Sequence, residues 1–233
     1  MKSVQAPDPP PPPTPDSTPP PALTRPPRRP RLQRPPPPAA TPAPAFDEQR
    51  KAGQVEGVTF LVSQGSEATF TAREQLVELP LPNDAVVRTT VLSGEVHLDG
   101  RPSVIEIDLH QLRSDQDKRD WYIRTRMFPQ HPTAVFTVQE MGPAPEGFAD
   151  GETVTAQVSG QLNIRGSVVP LTFAIEARDD GDVIFILART SFVWSDLELA
   201  APFAPTFVVR VQDEVRVEIL LAVRPVLASA AKP

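Results

Sequence analysis

The chain has 233 residues, 31 prolines, no cysteine and a formal net charge of −6. Without cysteine it has no disulfide framework, no thiolate metal site and no cysteine nucleophile. The sequence contains no run of eighteen apolar residues that would span a bilayer as a helix, and its acidic balance argues against nucleic acid as a partner.

Residues 1–46 differ in composition from the rest, because 19 of the 31 prolines lie before Phe46. Six basic and two acidic side chains give residues 1–45 a net charge of +4, which leaves −10 for the remaining residues. Proline has a fixed φ and no amide donor, so we expect a disordered arm with a reach of up to about 140 Å. This composition favours a spacer that tethers the domain to a membrane or envelope, over a solvated tail or a ligand for an aromatic groove.

We expect the folded domain to cover residues 53–225 and a disordered tail to cover 226–233. The first ten residues contain no apolar stretch after Lys2 and do not resemble a secretory signal. Since a spacer needs something to be attached to, we expect an anchor or signal upstream of Met1 in the natural protein.

From Val58 onward, apolar residues recur with a period of two, which is typical of β-strands. The first predicted strands cover residues 58–62, 68–72, 86–98 and 103–109. The first two flank Gly65, which predicts a short hairpin between them.

The segment 117–128 departs from this period and predicts the one helix of the domain. Its spacing of three and four residues brings Trp121, Thr125 and Phe128 together. Acidic residues at its start and arginines in its last turn match the preference of the helix dipole. Pro129 ends the helix, and a strand over 133–138 follows it.

The most regular alternation lies between Thr153 and Arg165. At ~3.3 Å per residue this strand would be about 43 Å long, so we expect it to coil around the core and to bend at Gly160. Its inward face is built from small residues, which predicts open space beside it. The last predicted strands cover residues 168–177, 182–193 and 213–223.

Eight or so strands with one short helix predict an all-β fold, an extended eight-stranded antiparallel barrel preceded by the proline-rich arm. A barrel of this size is either filled by side chains or holds one ligand. The alternation alone favours the filled interior.

Three blocks of the sequence resemble the YceI-like family. The first contains RDWYI from Arg119, then Phe128, Pro132, Ala134 and Phe136, and is similar to the family's RD…F…P…F block. The second covers residues 158–171, VSGQLNIRG followed by SVVPL. The third contains LART at 187–190 and WSD at 194–196. Together they extend the resemblance over residues 58–223.

The resemblance implies a lipocalin-like barrel that binds a long-chain, isoprenoid-like amphiphilic lipid in its cavity, without catalysis or cofactor. It also implies a location outside the cytoplasm, in the periplasm or cell envelope. Two alternatives stay open: an extracytoplasmic interaction module with a filled barrel, and a hydrolase that acts on lipids. The hydrolase has little support, because the chain has no G-x-S-x-G turn.

The candidate ligand-binding residues are apolar or small side chains that we expect on the cavity wall. The first group is Ala156, Val158, Gly160 and Leu162, and the second is Val91, Phe136, Phe173, Phe185, Leu187 and Val217.

No catalytic or metal-binding residue is expected. Glu106, Asp108 and His110 share one strand face, but alternate strand residues lie ~7 Å apart, so this face is predicted to be solvated. The pair Arg119–Asp120 has two interpretations. It could hold an anionic headgroup, or it could close the helix start against the barrel rim, which we prefer.

Overall fold

The computed structural model describes residues 57–139, 141–142, 144–204, 206 and 208–226. The predicted arm over 1–46 lies outside these residues, and so does the predicted tail over 226–233 except for Val226, which ends the last strand. The strands are β1 (Thr59–Val62), β2 (Glu67–Leu76), β3 (Asn83–Thr89), β4 (Leu92–Val96), β5 (Ser103–Asp108), β6 (Thr133–Val138), β7 (Val154–Ile164), β8 (Ser167–Asp179), β9 (Ile184–Val193) and β10 (Val208–Val226). The helix α1 (Asp117–Tyr122) continues into a π-helical turn (Ile123–Met127), and short 3-10 turns lie at Leu109–Gln111, Phe148–Asp150 and Trp194–Leu197.

The ten strands combine into eight long ones, because two pairs of strands are collinear. Thr59 of β1 lies opposite Val226 at the end of β10, and Leu76 of β2 lies opposite Val208 at its start. β3 pairs with β2 and β4 pairs with β1, so β3 and β4 also form one long strand. Each long strand is antiparallel to the one before it, and β10 pairs back with β1 and β2. The described chain is therefore a closed eight-stranded antiparallel barrel with one short α-helix, which confirms the predicted fold.

The hairpin predicted at Gly65 is wrong, since the chain continues past this residue in the same direction. Both the backbone N and the Oγ of Ser63 donate to Ala222 O at 2.8 Å, and Ala222 N donates to Ser66 Oγ at 3.0 Å. Between β1 and β2 the ladder with β10 is interrupted by a bulge, and the serine hydroxyls there replace the missing backbone partners. Gly65 adopts the positive φ of 98° that this bulge needs.

The other strands follow the sequence pattern closely. The long alternating strand is β7, which pairs with β8 along its whole length. The run predicted over 86–98 is interrupted between β3 and β4, and β10 begins at Val208, earlier than predicted. Ile105, Ile107 and Leu109 recur with a period of two and are all buried.

The predicted helix changes its winding halfway. Phe128 N donates to Ile123 O at 3.0 Å, a π-type bond that adds one residue to the turn. Because of this extra residue, Ile123 and Phe128 are both buried, whereas Trp121 is 50% exposed. Trp121, Thr125 and Phe128 therefore do not share one buried face.

The chain enters the barrel at the end opposite α1. There the Asp99 carboxylate accepts hydrogen bonds from Arg101 Nε at 2.9 Å and from Gly57 N at 2.8 Å. The Arg101 side chain holds the pKa of Asp99 well below its usual range. Arg101 Nη2 also donates to Val58 O at 2.8 Å, so this pair fastens the first described residues to the β4–β5 loop.

Candidate functional site

Within the described residues, a wide and a narrow cavity lie toward opposite ends of the barrel and share no lining residue. The wide cavity has a volume of about 960 Å³, near the upper end of the range of roughly 300–1,000 Å³ found for ligand pockets. The narrow cavity, about 210 Å³, falls below that range. The wide cavity is therefore the candidate functional site.

One wall of the wide cavity consists of inward side chains from three adjacent strands. β2, β3 and β10 contribute Phe70, Ala72, Ala85, Val87, Val211 and Val215. Ala72 lies directly opposite Ala85 across the β2–β3 ladder. Two alanines at facing positions leave space that larger core residues would fill, so this ladder is where the barrel becomes hollow.

Much of the remaining apolar wall comes from outside the regular strands. Leu197 and Leu199 follow β9 and are almost fully buried, with 3% and 8% of their surface exposed. Ile123 and Phe128 project from the helical segment on another side. These residues close this end of the barrel over a largely apolar space.

The polar groups of the wide cavity gather at α1. Arg119 donates through Nη2 to Glu74 Oε1 on β2 and through Nη1 to Asp115. The side chains of Arg119 and Glu74 are only 14% and 4% exposed. The Arg119 guanidinium lowers the pKa of Asp115 below its usual value, because its hydrogen bond favours the ionised carboxylate.

The neighbouring Asp120 completes this attachment. Its Oδ1 accepts hydrogen bonds from Ser114 N at 2.9 Å and Ser114 Oγ at 2.7 Å. Arg119 thus fastens α1 to β2, and Asp120 ties the helix to the segment just before it, in line with the structural role that we preferred from the sequence. Two carboxylates already share the Arg119 guanidinium, so Arg119 is poorly placed to hold an anionic headgroup as well.

The edge of the wide cavity carries an aromatic and cationic pair. The Arg126 guanidinium carbon lies 5.5 Å from the centroid of the Trp121 ring, which is within the distance of a cation–π contact. Next to it, Tyr122 Oη accepts a hydrogen bond from Phe203 N at 3.4 Å. This edge therefore combines half-exposed apolar surface with positive charge.

Four of the predicted site residues line the narrow cavity: Ala156, Val158, Phe136 and Phe173. The rings of Phe136 and Phe173 meet edge to face, with centroids 5.1 Å apart. These four side chains therefore lie on an interior wall, at the end of the barrel away from α1. Their contact with a ligand stays a prediction.

Three further predicted residues lie inward between the two cavities and line neither of them: Gly160, Leu162 and Val217. A Cβ at Gly160 would lie 2.4 Å from Thr137 O and 2.6 Å from Phe136 Cζ. The Phe136 ring fills the space that the glycine leaves. The open middle expected beside β7 is thus corrected to a packed region between two cavities.

The remaining three, Val91, Phe185 and Leu187, lie on neither cavity wall. On β9 the buried residues are Ile184, Ile186 and Ala188, so Phe185 and Leu187 alternate with them on the outer face. Val91 lies in the break between β3 and β4 and is 50% exposed. An apolar residue on a strand of this barrel is thus not always an inward one.

The wide cavity itself was not predicted from the sequence. Alternation along β2 and β3 was a usable signal for Phe70, Ala72, Ala85 and Val87. No local signal pointed to the leucines after β9, because their segment is irregular and its burial depends on contacts with distant strands.

In the described part of the chain, no group of three or more His, Asp or Glu side chains is arranged to hold a metal ion. Asp108 Oδ1 instead accepts from His110 N and Gln111 N and so caps a 3-10 turn, while His110 Nε2 lies 2.6 Å from Phe128 O. The face predicted to be solvated is therefore partly used for backbone contacts. None of the described helices has the length and apolarity to cross a membrane.

A family model described as YceI-like domain matches residues 60–223. A polyisoprenoid binding domain from Saccharophagus degradans, implicated in plant cell wall breakdown, is 19% identical, with a TM-score of 0.57 over 71% of this chain and 97% of that one. Burkholderia cenocepacia BcnA is 15% identical, with a TM-score of 0.52 over 69% and 98% of the two chains.

A mutant CJ YCEI protein with a monobromobimane guest is 15% identical, with a TM-score of 0.50 over 64% of this chain and 88% of that one. At these identities the three structures show that the fold is shared. No curated protein sequence matches the chain significantly.

Proposed function

Because this chain belongs to the YceI-like domain family, we propose that it binds a long-chain, isoprenoid-like amphiphilic lipid inside its barrel and carries it without catalysis. The observation that supports this most is the wide cavity, whose volume of about 960 Å³ and largely apolar wall suit a hydrocarbon chain. The polyisoprenoid binding domain from Saccharophagus degradans shares the fold, which supports the same class of ligand.

The proposed ligand has a definite orientation. Its hydrocarbon chain lies among Phe70, Ala72, Val87 and Leu199, and its polar group lies at the α1 edge near Arg126. Burial contributes about 0.8 kcal/mol per methylene, so ten methylenes contribute about 8 kcal/mol. That energy corresponds to a dissociation constant near ~1 μM before ordering costs are subtracted.

We further propose that the domain works outside the cytoplasm, in the periplasm or cell envelope, and that residues 1–46 are a spacer that tethers it there. Support comes from the family and from the proline content and net charge of +4 in residues 1–45. The barrel would then be held near a membrane that supplies or receives the lipid.

Organic extraction of the purified full chain, followed by mass spectrometry, tests the binding proposal. We expect an amphiphilic lipid in near-equimolar amount, or uptake of a long-chain isoprenoid alcohol added from detergent. Protein that neither retains nor takes up such a lipid would contradict the proposal and favour an interaction module. Hydrolysis of an added isoprenoid ester to the free alcohol and acid would favour a hydrolase.

A further inference from the structure

The wide cavity is bordered by a cluster of exposed apolar side chains, the apolar rim, which comes from three separate parts of the chain. It consists of Val77, Leu79, Leu81, Trp121 and Phe203. Leu79 and Trp121 line the cavity directly, as do Pro202 and Ala204 on either side of Phe203. Leu81 and Phe203 are the most exposed, at 73% and 72%. Large apolar side chains that converge from separate segments on one cavity mark an interaction surface.

Two arginines, Arg124 and Arg126, follow α1 beside the rim. They differ from Arg119, whose guanidinium is already shared by Glu74 and Asp115. Arg126 packs over the ring of Trp121. A tryptophan beside an arginine suits the interface of a bilayer, where the ring lies among headgroups and the cation contacts phosphates.

We propose that the apolar rim docks onto the surface of an anionic bilayer. The inference rests on the proposed function, because a lipid that moves between a membrane and the wide cavity must cross this rim. With the rim seated in the headgroup region, the hydrocarbon chain passes from bilayer to cavity without contact with water. Arg124 and Arg126 then face the anionic phosphates.

Exposed apolar residues also occur on the barrel wall, which provides a matched control. Val168 on β8 and Phe185 on β9 are 60% and 38% exposed and line neither cavity. If exposed apolar area alone drove binding to membranes, these positions would contribute as Leu81 and Phe203 do.

The test is flotation of the full chain with vesicles of three parts phosphatidylcholine and one part phosphatidylglycerol. We expect the double variant Leu81→Asp, Phe203→Asp to lower the vesicle affinity by about tenfold or more, because two apolar contacts are lost. The control Val168→Asp, Phe185→Asp should float as the wild type does. Arg124→Gln, Arg126→Gln should lose the preference for phosphatidylglycerol over pure phosphatidylcholine. Circular dichroism checks that each variant is folded.

Wild type that does not float, or a control that loses binding as strongly as the rim variant, would overturn the docking proposal. The proposal would also be overturned if the wild type bound no vesicles and sedimentation showed a dimer held by the rim. The rim would then bind a second copy of the chain. Extraction and mass spectrometry of the same preparations test the proposed function separately. Lipid retained without flotation contradicts only docking, and flotation of protein that never holds lipid contradicts only the lipid-binding function.

Discussion

Gly160 illustrates how a residue without a side chain can decide packing. Its position would place a Cβ 2.4 Å from a backbone oxygen on β6 and 2.6 Å from the Phe136 ring. The Phe136 ring therefore crosses from the neighbouring strand into the place of the missing side chain and contacts Phe173. This glycine is required for close approach between strands and not for an open tunnel.

We predict that Gly160→Ala destabilises the barrel by about 1–3 kcal/mol, because the new methyl group cannot fit without displacing Thr137 O. Gly142→Ala is the matched control, since nothing lies within 4 Å of a Cβ there. Urea unfolding of both variants measures the difference. Equal stability of the two variants would show that the strands separate at little cost.

The helical segment is held against the barrel by ion pairs. α1 has only six residues, too few to be stable alone. Its attachment depends on Arg119, whose partners are the buried Glu74 on β2 and the exposed Asp115 one turn earlier. Because this helix borders the wide cavity, loss of the attachment also removes one side of the site.

We predict that Arg119→Met costs about 3–5 kcal/mol in unfolding free energy, because it leaves the Glu74 carboxylate buried without its cation. Arg189→Met on the outer wall is the control: Arg189 also bonds two carboxylates, Glu176 and Glu218, but its side chain is 50% exposed. It should leave the unfolding free energy almost unchanged, because solvent screens exposed ion pairs. Chemical denaturation measures both, and the double variant Arg119→Met, Glu74→Met should recover much of the loss. Similar costs at Arg119 and Arg189 would rule out a special role for the buried pair.

For the molecule as a whole, the division of the interior into two cavities decides where a ligand can lie. The wide cavity lies at the start of β10 beside α1, and the narrow one lies among β5, β7, β8 and β9. The chain enters the barrel at the other end from α1. The cavity edge that we propose to face a membrane is thus the end away from the first described residues.

Replacing one alanine in each cavity by tryptophan tests which cavity binds lipid. We predict that Ala72→Trp lowers the amount of extractable lipid at least about tenfold, because the indole occupies the wide cavity. Ala156→Trp, which fills the narrow cavity, should leave most of the lipid bound. Quantitative mass spectrometry of both variants, with circular dichroism as the folding check, measures this. Loss of lipid in Ala156→Trp alone would show that the lipid binds in the narrow cavity, which β7 lines.

Most strand positions, the length of β7 and the inward direction of Ala156 and Val158 could be read from the sequence. Side-chain alternation is a local property of an extended chain, so residue order is enough to reveal it. The single helix was predictable for a similar reason, since its dipole-matched charges and Pro129 lie within one segment.

Contacts between distant segments could not be read in this way. Whether the chain turns back or bulges at Gly65 depends on Ser63 and Ser66 meeting Ala222, more than 150 residues away. Whether Gly160 leaves a void depends on a ring from β6, and the wide cavity exists because leucines after β9 close it over two facing alanines. The period of the apolar residues and the composition predicted a barrel. Its hollow part arises where an irregular segment folds across paired strands, and that depends on packing in three dimensions.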